Sequence, residues 1–174
     1  MDEKILVDGH VILNPDELHM DIYSLLEQKI KDKYIVCNRE YGYIKSLCKI
    51  HNKFRSDVER NTGNVKIHVR FLAERILPII GKQLICTVHM IFNHGIFAQI
   101  GENIKILIPL ASITDGKFFT NGDPEHEGSD QPLFKIESRD PSKSKIIIRD
   151  DIITITITDV KYNKNRYNCI GLLC

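Results

Sequence analysis

From Lys82 onward the chain is built of short runs rich in isoleucine, valine, threonine and aromatic residues, separated by turn-forming groups. Lys82 to Phe92, Gly95 to Ile100, Ile104 to Pro109, Asp150 to Val160 and Arg166 to Leu172 are five such runs. Their β-branched and aromatic side chains fit a pleated surface better than the flank of a helix, so each run predicts a strand. Gly95 and Gly101 stand where tight strand-to-strand turns or bulges are needed, and the segment between them presents alternate side chains to opposite faces.

Five strands of this kind over residues 82–174 fit an OB-type β-barrel. The stretch Asp115 to Lys145 contains GKFFTNGDPEHEGSDQP and SRDPSKSK, turn-rich and locally acidic. It reads as an elaborated connection between the third and fourth barrel strands, with Leu133 to Glu137 as a short extra strand. The first half has a different pattern. Ile5, Val7, Val11, Ile12 and Leu13 predict a strand, with Asp8 and Gly9 leaving room for a bulge or turn. Asn14-Pro15-Asp16-Glu17 then supplies an N-cap, a proline at the first helical position and acidic groups at the positive end of the helix dipole. Leu18, Ile22, Leu25, Leu26 and Ile30 follow as one helical stripe ending near Lys33. Tyr34 to Arg39, Gly42 to Ile50 and Asn64 to Leu72 predict three more strands, with Arg60 to Asn64 as the turn between the latter two. Val65, Ile67, Val69 and Phe71 should form the buried face of the last strand. Pro78 and Gly81 interrupt the pattern and separate residues 1–81 from 82–174. The expected class is α+β, an N-terminal α/β domain followed by a five-stranded OB-type barrel.

The 174 residues carry 24 Lys and Arg against 23 Asp and Glu, so bulk positive charge does not drive this chain onto nucleic acid or an anionic membrane, and any such binding must be local. Cys37, Cys48, Cys86, Cys169 and Cys174 form no CxxC pair and no even disulfide framework, and read as reduced thiols of an intracellular protein. The start MDEKILVDGH lacks the basic, then apolar, order of a signal peptide, and no apolar run is long enough to span a bilayer; a soluble protein without membrane partners is expected.

In an OB-type barrel the face of strands two and three, with the loops joining strands one to two and four to five, is the usual oligonucleotide surface. That mapping puts His89, Phe92, His94, Phe97 and Lys105 on or near it. The expected loop between strands four and five, Lys161 to Tyr167, adds Lys161, Tyr162, Lys164 and Arg166, cations for phosphate and an aromatic for base stacking. The bland readings are a solvated Lys/Asn-rich turn and aromatics that belong to the core. His89 and His94 have no cysteine or carboxylate to complete a metal set, and Asp150-Asp151 and the Glu125, Glu127, Asp130 group read as solvated charge. No nucleophile elbow, P-loop or dinucleotide fingerprint is present, so neither cofactor nor catalytic residue is expected.

The early strand with Asn14-Pro15, Gly42-Tyr43-Ile44, Val65 to Arg70, His94 to Gly101 and the final Ile170-Gly171-Leu172 occur in an order and spacing that span nearly the whole chain. Together they resemble the larger stalk subunit of multisubunit DNA-directed RNA polymerases, the family that includes subunit seven of eukaryotic polymerase II and its archaeal counterpart. The resemblance implies a non-catalytic transcription subunit. Its N-terminal tip domain would dock on the large subunits of the polymerase core near the clamp, and its OB barrel would contact single-stranded nascent RNA. It further implies a heterodimer with a small helical stalk partner, in the nucleus if the source is a cell. Departures from the family pattern, with an Ile-, Lys- and Asn-rich composition typical of AT-rich genomes, point to a large DNA virus or a divergent eukaryote, and a viral source would place it in the viral factory or virion. The junction Ala73 to Pro78 and the acidic insertion depart from the family pattern. A free-standing OB module of translation or RNA processing is the alternative.

Overall fold

The computed structural model describes residues 3–19, 21–51, 55–113, 116–119, 132–136 and 145–174, mostly in β-strands with one α-helix. The chain divides into two compact units, Asp2–Leu77 and Pro78–Cys174. The division falls just ahead of Pro78 because the Gly81 N–H donates to the Ile157 carbonyl at 2.7 Å and the Ile157 N–H to the Lys82 carbonyl at 3.0 Å, which ties the segment after Pro78 to the second unit.

The first unit contains β1 (Glu3–Leu13), a 3-10 turn (Pro15–Glu17), α1 (Ile22–Tyr34), β2 (Cys37–Asn38), β3 (Gly42–Ile50), β4 (Arg55–Val58) and β5 (Val65–Ile76). β5 is the central strand. It pairs antiparallel with β1 along one side, and along the other with β3 near its end and β4 near its start. The expected alternation holds, for Ile67, Val69, Phe71 and Ala73 are buried with Val7 and Val11 of β1 in one core with Leu25, Leu26 and Ile30 of α1.

The single helix expected from Pro15 onward is two pieces. The Glu17 carboxylate accepts the Asn14 N–H at 2.8 Å, and this box closes one short turn. Asp21 then caps a new helix, accepting from the Tyr23 and Ser24 N–H groups. Leu18 and Ile22, assigned to the core stripe by their spacing, are 41% and 40% exposed. The strand expected over Tyr34 to Arg39 shrinks to Cys37–Asn38, because Tyr34 is the last residue of α1. β4 had no sequence signal: Arg-Ser-Asp-Val is exposed throughout and has no alternation.

In the second unit β6 (Gln83–Phe92), β7 (Gly95–Ile100), β8 (Ile104–Pro109), β12 (Ile152–Asn163) and β13 (Arg166–Leu173) lie within three residues of the expected strands. They close a barrel in the order β6-β7-β8-β13-β12, with β13 and β8 parallel and the other pairs antiparallel. Counting barrel strands alone, the ring is 1-2-3-5-4. Inside it lie Val88, Ile96, Ile104, Ile106, Ile108 and Ile155, each with no exposed surface. Burial in this core pushes the Cys86 thiol up to about 12. Between the third and fourth barrel strands, β9 (Gly116–Phe119), β10 (Leu133–Ile136) and β11 (Lys145–Ile147) form a small antiparallel sheet that buries Phe119, Leu133, Phe134 and Ile147. β10 is the short extra strand expected there; Glu125, Glu127 and Asp130 lie outside the described residues.

Candidate nucleic-acid interface

Residues directly opposite each other on paired strands share a face of the sheet, so the barrel register sorts its outer surface into rows. One row runs Met90, Phe97, Leu107, Ile170 across β6, β7, β8 and β13. It is apolar, and Met90, Phe97 and Ile170 are between 37% and 46% exposed. The neighbouring row runs Thr87, Gln99, Lys105, Asn168 and Lys161 across β6, β7, β8, β13 and β12. It is polar throughout. A register shift between Val88 and Met90 places His89 in a bulge beside both rows.

Phe92 and Phe97 are therefore outward-facing, against the ordinary expectation that aromatics of a small barrel join its core. Their rings meet edge to face at 5.6 Å and 88°. With His89, Met90, Gln99 and Lys105 they line a hollow of about 320 Å³ that has no acidic residue among its described walls. His94 lies apart from it, in the turn between β6 and β7.

The Lys161 to Tyr167 loop proves to be a hairpin with a two-residue turn. Lys164 and Asn165 take φ values of 47° and 61°, the left-handed pair that matches the twist of the flanking strands. Lys161 and Arg166 stand on the outer face, Lys161 two strands from Lys105 or about 10 Å away at ordinary strand spacing. Lys164 is exposed at the tip. Tyr162 is not on this face. It is paired with Tyr167, which is 4% exposed, and the two rings pack at 5.0 Å toward the barrel interior. Its hydroxyl donates to Asn165 Oδ1 at 3.1 Å, which holds it against the turn.

Met90, Gln99 and Asn168 belong to this surface and were not singled out from the sequence. Gln99 was within reach, since it stands two residues after Phe97 and so shares its face; Asn168 needed the parallel pairing of β13 with β8. A wider hollow of about 550 Å³ lies on the first unit, lined in part by Lys49, His51, Arg55 and Arg70 with Asp8. Its wall side chains are partly engaged with acidic partners. The Arg70 guanidinium hydrogen-bonds Asp8 and holds its carboxyl below the usual range, and His68 Nε2 lies 3.0 Å from Asp57. It has no Phe, Tyr or Trp among its described lining residues.

Among the described residues no group of three or more His, Cys, Asp or Glu side chains is placed to hold a metal ion, and no helix is long and apolar enough to cross a membrane. Chemically, the barrel surface offers ring faces for bases and separate cations for phosphates. No family model matches the chain, and a comparison with curated proteins finds no significant match.

Proposed function

We propose that this chain is a non-catalytic stalk subunit of a DNA-directed RNA polymerase, whose second unit is an OB-type barrel that contacts nascent single-stranded RNA. The observation that carries the reading is the outward Phe92–Phe97 pair beside Lys105, on the first three strands of a ring in the order 1-2-3-5-4. Ring faces next to a row of cations are what an unpaired strand needs, because every base has a face to stack and every phosphate a charge to neutralise. The ordered resemblance along the chain adds the polymerase context: the first unit as a tip domain docking on the large subunits, with a small helical partner.

The charge balance favours a subunit over a free-standing RNA-binding module. From Lys82 onward there are 11 Lys and Arg against 11 Asp and Glu, so RNA has to be brought to this barrel by something else. Affinity purification of the tagged chain from its native cell tests the assignment. The large polymerase subunits and a small helical protein should copurify with it, and their absence would refute the stalk reading. For RNA contact, changing Lys161, Lys164 and Arg166 together to Glu should weaken binding of single-stranded RNA and flatten its salt dependence, and unchanged binding would reduce that hairpin to an ordinary turn.

A further inference from the structure

The outer ridge of β6 separates two hollows. The first is the Phe97 hollow described above. The second, of about 290 Å³, shares His89, Met90 and Phe92 with it but has Pro132 and Arg149 as its far wall. Its position follows from strand pairing. Val88 exchanges backbone hydrogen bonds with Asp150 and Asp151 at 2.8 Å, so the chain entering β12 lies beside the β6 bulge and sets Arg149 next to His89 and Met90. The other flank of β6 is β7, which supplies Phe97 and Gln99.

We infer that the two hollows form one continuous path for single-stranded RNA, in which consecutive bases sit on either side of the Met90–Phe92 ridge and Arg149 takes a phosphate at the far end from Lys105. The inference rests on the RNA-contact reading and extends it to a residue of the strand 3–4 connection. Three observations support RNA as the occupant. The ridge is apolar and well exposed at both Met90 and Phe92, at 46% and 39%. Each hollow ends in a cation, and neither has an acidic lining residue among those described. Arg149 makes a long ion pair with Asp150, at 4.0 Å and with both side chains more than half exposed, and solvent-screened pairs of that kind are weak enough for a phosphate to compete with. Gln99 and His89, at the walls, carry donors and acceptors for base edges.

Fluorescence anisotropy of the full chain with a labelled oligouridine of about a dozen nucleotides tests this. Arg149→Glu should weaken binding about five- to tenfold and lower the salt slope, Arg149→Lys should restore most of the affinity, and Phe97→Ala should weaken binding about tenfold. Arg149 is exposed, so its two substitutions should leave the fold intact, and a circular dichroism spectrum and melting curve check this for Phe97→Ala. If Phe97→Ala weakens binding and Arg149→Glu does not, the second hollow is no part of the path, while RNA contact on the barrel stands. If Arg149→Glu weakens binding and Phe97→Ala does not, the strand bypasses the ridge and the inference fails. If the parent chain binds no RNA, or an apolar protein segment occupies the ridge instead, both the inference and the RNA-contact reading fall.

Discussion

Tyr34 joins the helix of the first unit to the edge of its sheet through one oxygen. The hydroxyl accepts the His10 N–H at 2.9 Å and donates to the His10 carbonyl at 3.1 Å, and the ring leans on Phe71 at 5.2 Å. A Cβ at Gly9 would run into that same hydroxyl, so the close approach depends on glycine. Tyr34→Phe keeps the ring but leaves the backbone groups of His10 to Lys33 and water, and should cost about 1–3 kcal/mol in denaturant unfolding. Gly95 is a stricter case: its φ of +151° and the Ile108 carbonyl that a Cβ would meet make Gly95→Ala destabilising by a similar amount or more. Cysteines give an independent check on burial. Cys48 and Cys174 are exposed while Cys37, Cys86 and Cys169 are buried, so a thiol reagent at neutral pH should titrate two groups in the native protein and five after denaturation. At this scale the sequence was a poor guide to direction. Phe92, Phe97 and Tyr162 are all aromatics on barrel strands, yet the first two face out and the last faces in. The cause is register: the bulges at Val88/Met90 and Ile157/Asp159, which no local pattern announces, turn Phe92 out and Tyr162 in, while Phe97 faces out by simple alternation with buried Ile96 and Ala98.

Elements were legible where burial on one face forced alternation, and illegible where it did not. The barrel strands and β5 follow from that rule; the all-exposed β4 escapes it. The helix failed for another reason: its apolar spacing is regular through Leu18 and Ile22, but Asp21 captures two backbone donors and starts the helix afresh. Asp21→Ala should therefore shorten α1 and lower the melting temperature by a few degrees. Asp21 also carries a pH signature. The Ser24 hydroxyl pulls its carboxyl below the ordinary range, as Lys29 does for Glu17 and Arg70 for Asp8. A carboxylate with a lowered folded pKa stabilises the fold above its unfolded value of about 4 and loses that contribution as pH falls through the folded value. Melting temperature should thus be insensitive to these groups between about pH 5 and 7 and fall below about pH 4, with a smaller fall in Asp21→Ala. In the β12–β13 hairpin, Asn165→Gly should be neutral or stabilising and Asn165→Val destabilising, because β-branched residues resist positive φ.

For the whole molecule, each unit encloses its own sheet and core, so residues 78–174 made alone should show a strand-type circular dichroism spectrum and unfold cooperatively. Balanced total charge limits what RNA binding can look like. With Lys105, Lys161, Lys164, Arg166 and Arg149 as the cations in reach, the slope of log affinity against log salt should be no steeper than about −3.5, shallow beside strongly basic proteins. The five-stranded ring was legible in the run of apolar segments that follows Pro78. Arg149 was not, since its neighbours are fixed by a pairing with Val88 across the whole strand 3–4 connection. The parallel pair that closes the ring has a kinetic consequence. β6, β7 and β8 are joined by short turns and can zip together locally, whereas β8 reaches β13 by pairing Ile104 with Tyr167. Loop closure over such a separation is slow, so the face bearing Phe97 and Lys105 should assemble early and the ring seal late. During that interval the unpaired flank of β8 is an exposed strand edge, and aggregation on refolding should rise with protein concentration and subside once β13 is in place.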